Sequence, residues 1–171
     1  DSWRNRYNSL TLHDPVWYDQ MPYIPFPDDW PIYLPKDQVA DFLEMYAKIM
    51  DLNYWNSTVC KHAFYDEDKQ NWTVTVEREG KTIVLNPNHL IFATGMAGVP
   101  RIPDLEGADT FQGEQLHTSQ YKSGKKYADK RCIVVGSGTS AHDICADLWE
   151  QGAEPTMIQR SSTLVMNAKT H

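Results

Sequence analysis

The sequence is poor in cysteine. Cys60, Cys132 and Cys145 are scattered over 171 positions with no C-x-x-C pair. That pattern offers neither a redox dithiol nor a zinc site, and it suits a reducing, cytoplasmic setting. Long apolar runs are missing as well: nothing approaches a membrane span, and no signal-peptide pattern opens the chain. Basic charge is scarce, with 16 Lys and Arg against 23 Asp and Glu and a net charge of −7. This balance argues against a general binder of nucleic acid or anionic membranes. The sequence also lacks internal repeats, low-complexity tracts, a metal-ligand cluster and a convincing Ser-His-Asp or carboxylate-pair arrangement. An initial Met is absent, so Asp1 is not taken as the natural start.

What the chain does have is aromatic residues, with six Trp and nine Tyr. Many fall in residues 1–35, interleaved with six of the ten prolines in "LTLHDPVWYDQMPYIPFPDDWPIYLP". Proline at that density excludes a long helix or a central strand, and the aromatic content is wrong for disorder. An ordered, extended loop packed on something large is expected. In "KDQVADFLEMYAKIMD", Val39, Phe42, Leu43, Tyr46, Ile49 and Met50 recur at helical spacing, with Pro35 at the entrance. Strands are expected in "STVCKHAFY", "NWTVTVERE" and "TIVL", the last two joined by a turn at 79–81. Alternation at Trp72, Val74 and Val76 predicts an antiparallel meander whose strands each have one buried face. An apolar strand "HLIFATG" follows, then a loop punctuated by Pro100 and Pro103.

The most informative stretch is "RCIVVGSGTSAHDIC". An apolar strand leads into Gly136-Ser137-Gly138-Thr139-Ser140-Ala141, a G-x-G-x-x-A turn, and then into an amphipathic helix carrying Ile144, Cys145 and Leu148. The first glycine permits the tight turn and the second lets a pyrophosphate approach the backbone. The small third residue lets helix and strand pack closely. Phosphate oxygens meet free N–H groups at the positive end of the helix. A second strand, "PTMIQ", ends in Arg160, Ser161 and Ser162, where NAD binders carry an acidic residue. A guanidinium there can pair with a 2′-phosphate, so the chemistry points to NADPH over NADH. The plain alternatives are a crossover that binds nothing and a surface arginine without a ligand.

Two further patterns precede the turn: "IFATGMAGVPRIP", and "FQGEQLHTSQY", which fits F-x-G-x-x-x-H-x-x-x-Y through Phe111, Gly113, His117 and Tyr121. With these the chain resembles the flavin-containing monooxygenases, the class B flavoprotein monooxygenase family. The resemblance implies an α/β flavoprotein with two dinucleotide-binding domains. Its Rossmann-like FAD unit carries an antiparallel β-meander, an NADPH Rossmann unit is inserted, and the chain is incomplete at both ends. Residues 1–103 are then the central part of the FAD domain, 104–130 a linker holding the fingerprint, and 131–171 the first β-α-β of the NADPH domain.

The same resemblance assigns roles to individual residues. Ser2 and Trp3 line the flavin side, with Arg4 close by, and "LTLHDP" brings His13 and Asp14 near the isoalloxazine. Val59 meets the adenine through its backbone, and Ala93, Thr94 and Gly95 run beside the FAD pyrophosphate. His13 is the candidate catalytic group, with a satisfied structural ring as the equal alternative. His117 is read as a structural linker histidine. Tyr121 stands where the Baeyer–Villiger branch favours Trp, and the "LH-x-P" pattern is closer to the plant auxin-forming branch.

The implied activity is reduction of FAD by NADPH, addition of dioxygen to give a flavin hydroperoxide, and transfer of one oxygen atom to a small organic substrate of N-, S- or keto-acid type. No metal is implied. The alternatives are a Baeyer–Villiger ketone monooxygenase, an NADPH oxidase, a flavin reductase and a non-catalytic NADPH-binding module. The oligomeric state, a homodimer among the options, stays open.

Overall fold

Helix α1 (Lys36–Ile49) forms where the apolar residues recur at helical spacing, and it buries Val39, Ala40, Phe42 and Tyr46. Pro35 is its N-cap in an extended conformation, a place where a missing N–H costs nothing. The computed structural model describes residues 2–95 and 98–166. The chain divides into two compact units, one made of residues 1–50 with 100–171 and the other of residues 51–99.

In the first unit the proline-rich segment is ordered, as its composition predicts. Its backbone groups find partners within the segment itself: Leu12 N–H donates to Leu34, and Val16 N–H to Ile32. Its aromatic side chains close over α1. Phe26 and Phe42 pack at 4.4 Å between ring centroids, inside a cluster with Leu34, Val39 and Tyr46.

The same unit contains a parallel β-α-β. Strand β4 (Arg131–Val135) pairs with β5 (Glu154–Ile158), and helix α2 (Thr139–Glu150) makes the crossover. The second core gathers Val134, Ala141, Ile144, Leu148 and Ala153 with Tyr7, Leu10 and Tyr121. The N-terminal segment and the 104–130 stretch therefore both pack on α2. Trp3 packs against both clusters and links them.

The second unit is an antiparallel meander of β1 (Thr58–Asp66), β2 (Asn71–Arg78) and β3 (Lys81–Leu85). Glu79 and Gly80 both have positive φ and form a two-residue hairpin loop whose twist matches that of the strands. Two expectations need correction here. Only β2 has buried residues, Val74 and Val76, whereas β1 and β3 leave Val59, Phe64, Val84 and Leu85 exposed. The central strand of three is flanked on both sides and the outer two are not. The expected strand "HLIFATG" is an irregular extended segment with Ile91 and Phe92 exposed. Among the described residues it pairs with no strand, and without a ladder an apolar segment has nothing to hold it as one. Met96 and Ala97 of the following loop lie outside the described residues.

Candidate functional site

The G-x-G-x-x-A turn leaves the start of α2 open and without a side-chain cap. Gly136 follows β4 with φ 120°, a backbone conformation that side-chain-bearing residues rarely adopt. Its N–H donates to the Ile158 carbonyl at 2.8 Å, which ties the turn to the end of β5. Gly138 is the N-cap of α2, and its lack of a side chain leaves the helix start with no side-chain cap. A Cβ added at Gly136 or Gly138 would meet nothing within 4 Å. Packing inside the chain therefore requires neither glycine: at Gly136 the positive φ does, and at Gly138 the space beside the backbone is open. Arg160 is exposed just past β5, at the same carboxyl end of the parallel pair as the turn. Ser161 and Ser162 are exposed beside it.

Next to the turn lies a cavity of about 490 Å³. Ser2, Trp3, Arg6, Tyr7, His13, Asp14 and Asp19 line it, together with Ser140 of the turn itself. The structure thus brings four of the expected flavin-side residues, Ser2, Trp3, His13 and Asp14, to one wall with the start of α2. Arg4 does not line it: its guanidinium pairs with Asp41 at 2.5 Å and Glu44 at 3.0 Å on α1. Val59, on β1, and Ala93, Thr94 and Gly95, in the irregular segment, belong to the other unit.

Two aspartates on α2, spaced one turn apart, organise the site. Asp143 Oδ2 accepts from the Tyr7 hydroxyl at 2.7 Å and is 3.0 Å from His13 Nε2. Asp147 Oδ2 accepts from the Tyr121 hydroxyl at 2.6 Å and from the Gly124 N–H at 2.8 Å. Burial, followed by the neighbouring carboxylate, raises both phenols well above the ordinary tyrosine range. Burial, followed by the charge of Asp14, raises the Asp19 carboxyl on the cavity wall.

The F-x-G-x-x-x-H-x-x-x-Y residues form a folded brace. The Phe111 ring lies over Gly113, where an added Cβ would come within 2.4 Å of its edge. His117 caps the short 118–120 helical turn: Ser119 N–H donates to its Nδ1 at 3.2 Å, and its own N–H donates to Gln120 Oε1 at 3.0 Å. His117 Nδ1 is engaged within its own turn. Tyr121 is buried and reaches α2.

Tyr7, Asp143, Asp147 and Gly124 were not singled out from the sequence. One signal was available: Asp147 falls on the apolar stripe of α2 beside Ile144 and Leu148, where a carboxylate demands a partner. Among the described residues no group of three or more His, Cys, Asp or Glu could hold a metal ion. No described helix is long and apolar enough to cross a membrane.

Comparison with known proteins supplies the context. The model of the family described as flavin-binding monooxygenase-like matches residues 12–171. The probable indole-3-pyruvate monooxygenase YUCCA3 of Arabidopsis thaliana is 39% identical over 171 residues, a match covering 96% of this chain and 39% of that protein. The chain thus spans about two-fifths of the length of the curated relatives it matches. Among solved structures, a flavin-containing monooxygenase from Stenotrophomonas maltophilia superimposes with a TM-score of 0.85 at 24% identity, over 98% of this chain and 49% of that one. A bacillithiol disulfide reductase from Bacillus cereus does so with 0.79 at 16% identity, over 94% and 48%. These two likenesses show the fold, an α/β fold that a monooxygenase and a disulfide reductase share.

Proposed function

The chain belongs to the flavin-binding monooxygenase-like family, and from that premise we propose that it is the central part of an NADPH-dependent FAD monooxygenase. The enzyme transfers one oxygen atom from dioxygen to a small organic substrate. A keto acid with an indole side chain is the first candidate, given the monooxygenase relative that is 39% identical. When bound, the flavin supplies the redox chemistry, taking a hydride from NADPH and activating dioxygen.

The observation that carries this reading is Ser140. It belongs to the dinucleotide turn and is also a wall of the cavity lined by His13. A nucleotide seated on α2 therefore lies beside the space that His13 lines, and proximity of that kind is what hydride transfer requires. The chain's own residues have distinct tasks. Gly136, Gly138 and the uncapped α2 amides hold the NADPH pyrophosphate, and Arg160 with Ser161 and Ser162 reads the 2′-phosphate. Ser2, Trp3, His13 and Asp14 face the flavin. Val59, Ala93, Thr94 and Gly95 serve the rest of the FAD site.

In this reading residues 1–103 contribute to the FAD domain, 104–130 form the linker, and 131–171 open the inserted NADPH domain. The free thiols of Cys60, Cys132 and Cys145 fit a cytoplasmic enzyme, and a homodimer is the assembly to test. A disulfide reductase shares the fold, and the monooxygenase relative that is 39% identical favours the oxygenase reading.

The test is turnover of the full-length protein with NADPH, labelled dioxygen and indole-3-pyruvate. One labelled oxygen atom in the organic product supports the reading. Stoichiometric hydrogen peroxide with no labelled product replaces it by an NADPH oxidase.

A further inference from the structure

We propose that Asp143 is a positioning residue for His13, fixing which ring nitrogen the cavity receives and at what orientation. An ionised carboxylate is acceptor-only, so a contact of 3.0 Å between Asp143 Oδ2 and His13 Nε2 requires the proton on Nε2. Nδ1 is then the atom the ring has left to offer, and no described residue bonds to it. His13 stands on the cavity wall with its side chain 46% exposed, whereas Asp143 is only 26% exposed and anchored on a helix. The helix fixes the carboxylate and the carboxylate fixes the ring.

The same oxygen receives the Tyr7 hydroxyl at 2.7 Å, which limits the rotation of the Asp143 side chain. Other ionisable groups line the cavity around His13, namely Arg6, Asp14 and Asp19, yet Asp143 is the one within hydrogen-bond distance of the ring. Asp143 lies one helical turn beyond Ser140, so the element that starts at the phosphate turn also sets the imidazole across the cavity. A ligand seated on the turn and a ligand seated against His13 are then referred to one rigid helix.

The functional consequence rests on the monooxygenase reading, but the contact does not, and the experiment separates them. In the FAD-loaded full-length protein, long-range proton–nitrogen NMR through the carbon-bound ring protons of His13, which do not exchange with water, should report a protonated Nε2 and an unprotonated Nδ1. The measurement is made at about pH 8, where an ordinary imidazole is neutral. In Asp143→Leu the two nitrogen resonances should move toward the averaged positions of a free imidazole. They should stay in place in Asp143→Asn, which keeps an acceptor oxygen, and in Tyr7→Phe. Unmoved resonances in Asp143→Leu, or a wild type with its proton on Nδ1, overturn the proposal whatever the reaction proves to be.

In turnover, Asp143→Leu should lower kcat on the order of tenfold to a hundredfold, as a displaced group does, with KM for NADPH changed less than about twofold. In a His13→Gln background the same change should cost nothing further, because its effect runs through the ring. Additive losses would mean that Asp143 only braces the fold. Absence of oxygenated product from the wild type would remove the monooxygenase reading and leave the ring-nitrogen resonances to decide on Asp143.

Discussion

Tyr121 and Asp147 meet at 2.6 Å, hydroxyl to carboxylate, and join the end of the F-x-G-x-x-x-H-x-x-x-Y stretch to the buried face of α2. The same Asp147 oxygen takes the Gly124 N–H, so one carboxylate closes the whole 121–124 corner onto the helix. Removing the hydroxyl leaves a buried charge with one donor fewer. Tyr121→Phe should destabilise the protein by about 1.5–3 kcal/mol, the range for a hydrogen bond to a charged group. Urea denaturation at neutral pH checks this, and a loss below about 0.5 kcal/mol would show that water replaces the hydroxyl.

The two buried phenols also predict an alkaline limit. Tyr7 and Tyr121 have folded-state pKa values raised above their unfolded value of about 10. The folded state therefore keeps these protons after the unfolded chain has lost them. Their contribution is fully present below about pH 10 and is lost as pH rises toward the folded values. Stability measured from pH 8 to 11 should fall at the upper end, and the fall should be shallower in Tyr7→Phe and Tyr121→Phe. Equal slopes in the three proteins would count against the assignment.

Two glycines should separate structural from ligand-binding need. A Cβ at Gly124 would lie 2.8 Å from the Asp147 carbonyl oxygen and 3.0 Å from the Leu148 Cα, both backbone atoms of α2. Gly124→Ala should cost about 1–3 kcal/mol through overpacking. At Gly138 a Cβ meets nothing and φ is ordinary, so Gly138→Ala should change stability by less than about 1 kcal/mol. It should nonetheless weaken NADPH by at least about tenfold, since the added methyl occupies the phosphate approach. Thermal melts with a fluorescence titration of NADPH measure both quantities.

Arg160 is exposed at the carboxyl end of β5, level with the glycine turn. Arg160→Ala should raise KM for NADPH tens-fold, or about 2 kcal/mol, and leave KM for NADH nearly unchanged. Steady-state kinetics with both coenzymes provide the check, and an unaltered preference would show that Arg160 is a plain surface residue.

Local chemistry along the chain determined α1, the meander strands, the turn at Glu79-Gly80 and the β-α-β around Gly136. Each is specified by residues within a few positions of one another, through periodicity, positive-φ glycine or a helix start. Family resemblance rested on equally local patterns. Contacts distant in sequence were another matter. Nothing local to Asp143 or Asp147 says that Tyr7 and Tyr121 will reach them, because a buried carboxylate announces a need for donors without naming them. Nothing local to Arg4 says that its guanidinium will meet Asp41 and Glu44 of α1, more than thirty positions away. "HLIFATG" has the composition of a strand, but a strand exists only where a neighbouring backbone supplies its hydrogen bonds, and the described residues supply none. Propensity and periodicity act over one or two turns of chain, whereas hydrogen-bond partners and buried faces are settled only when the chain closes on itself.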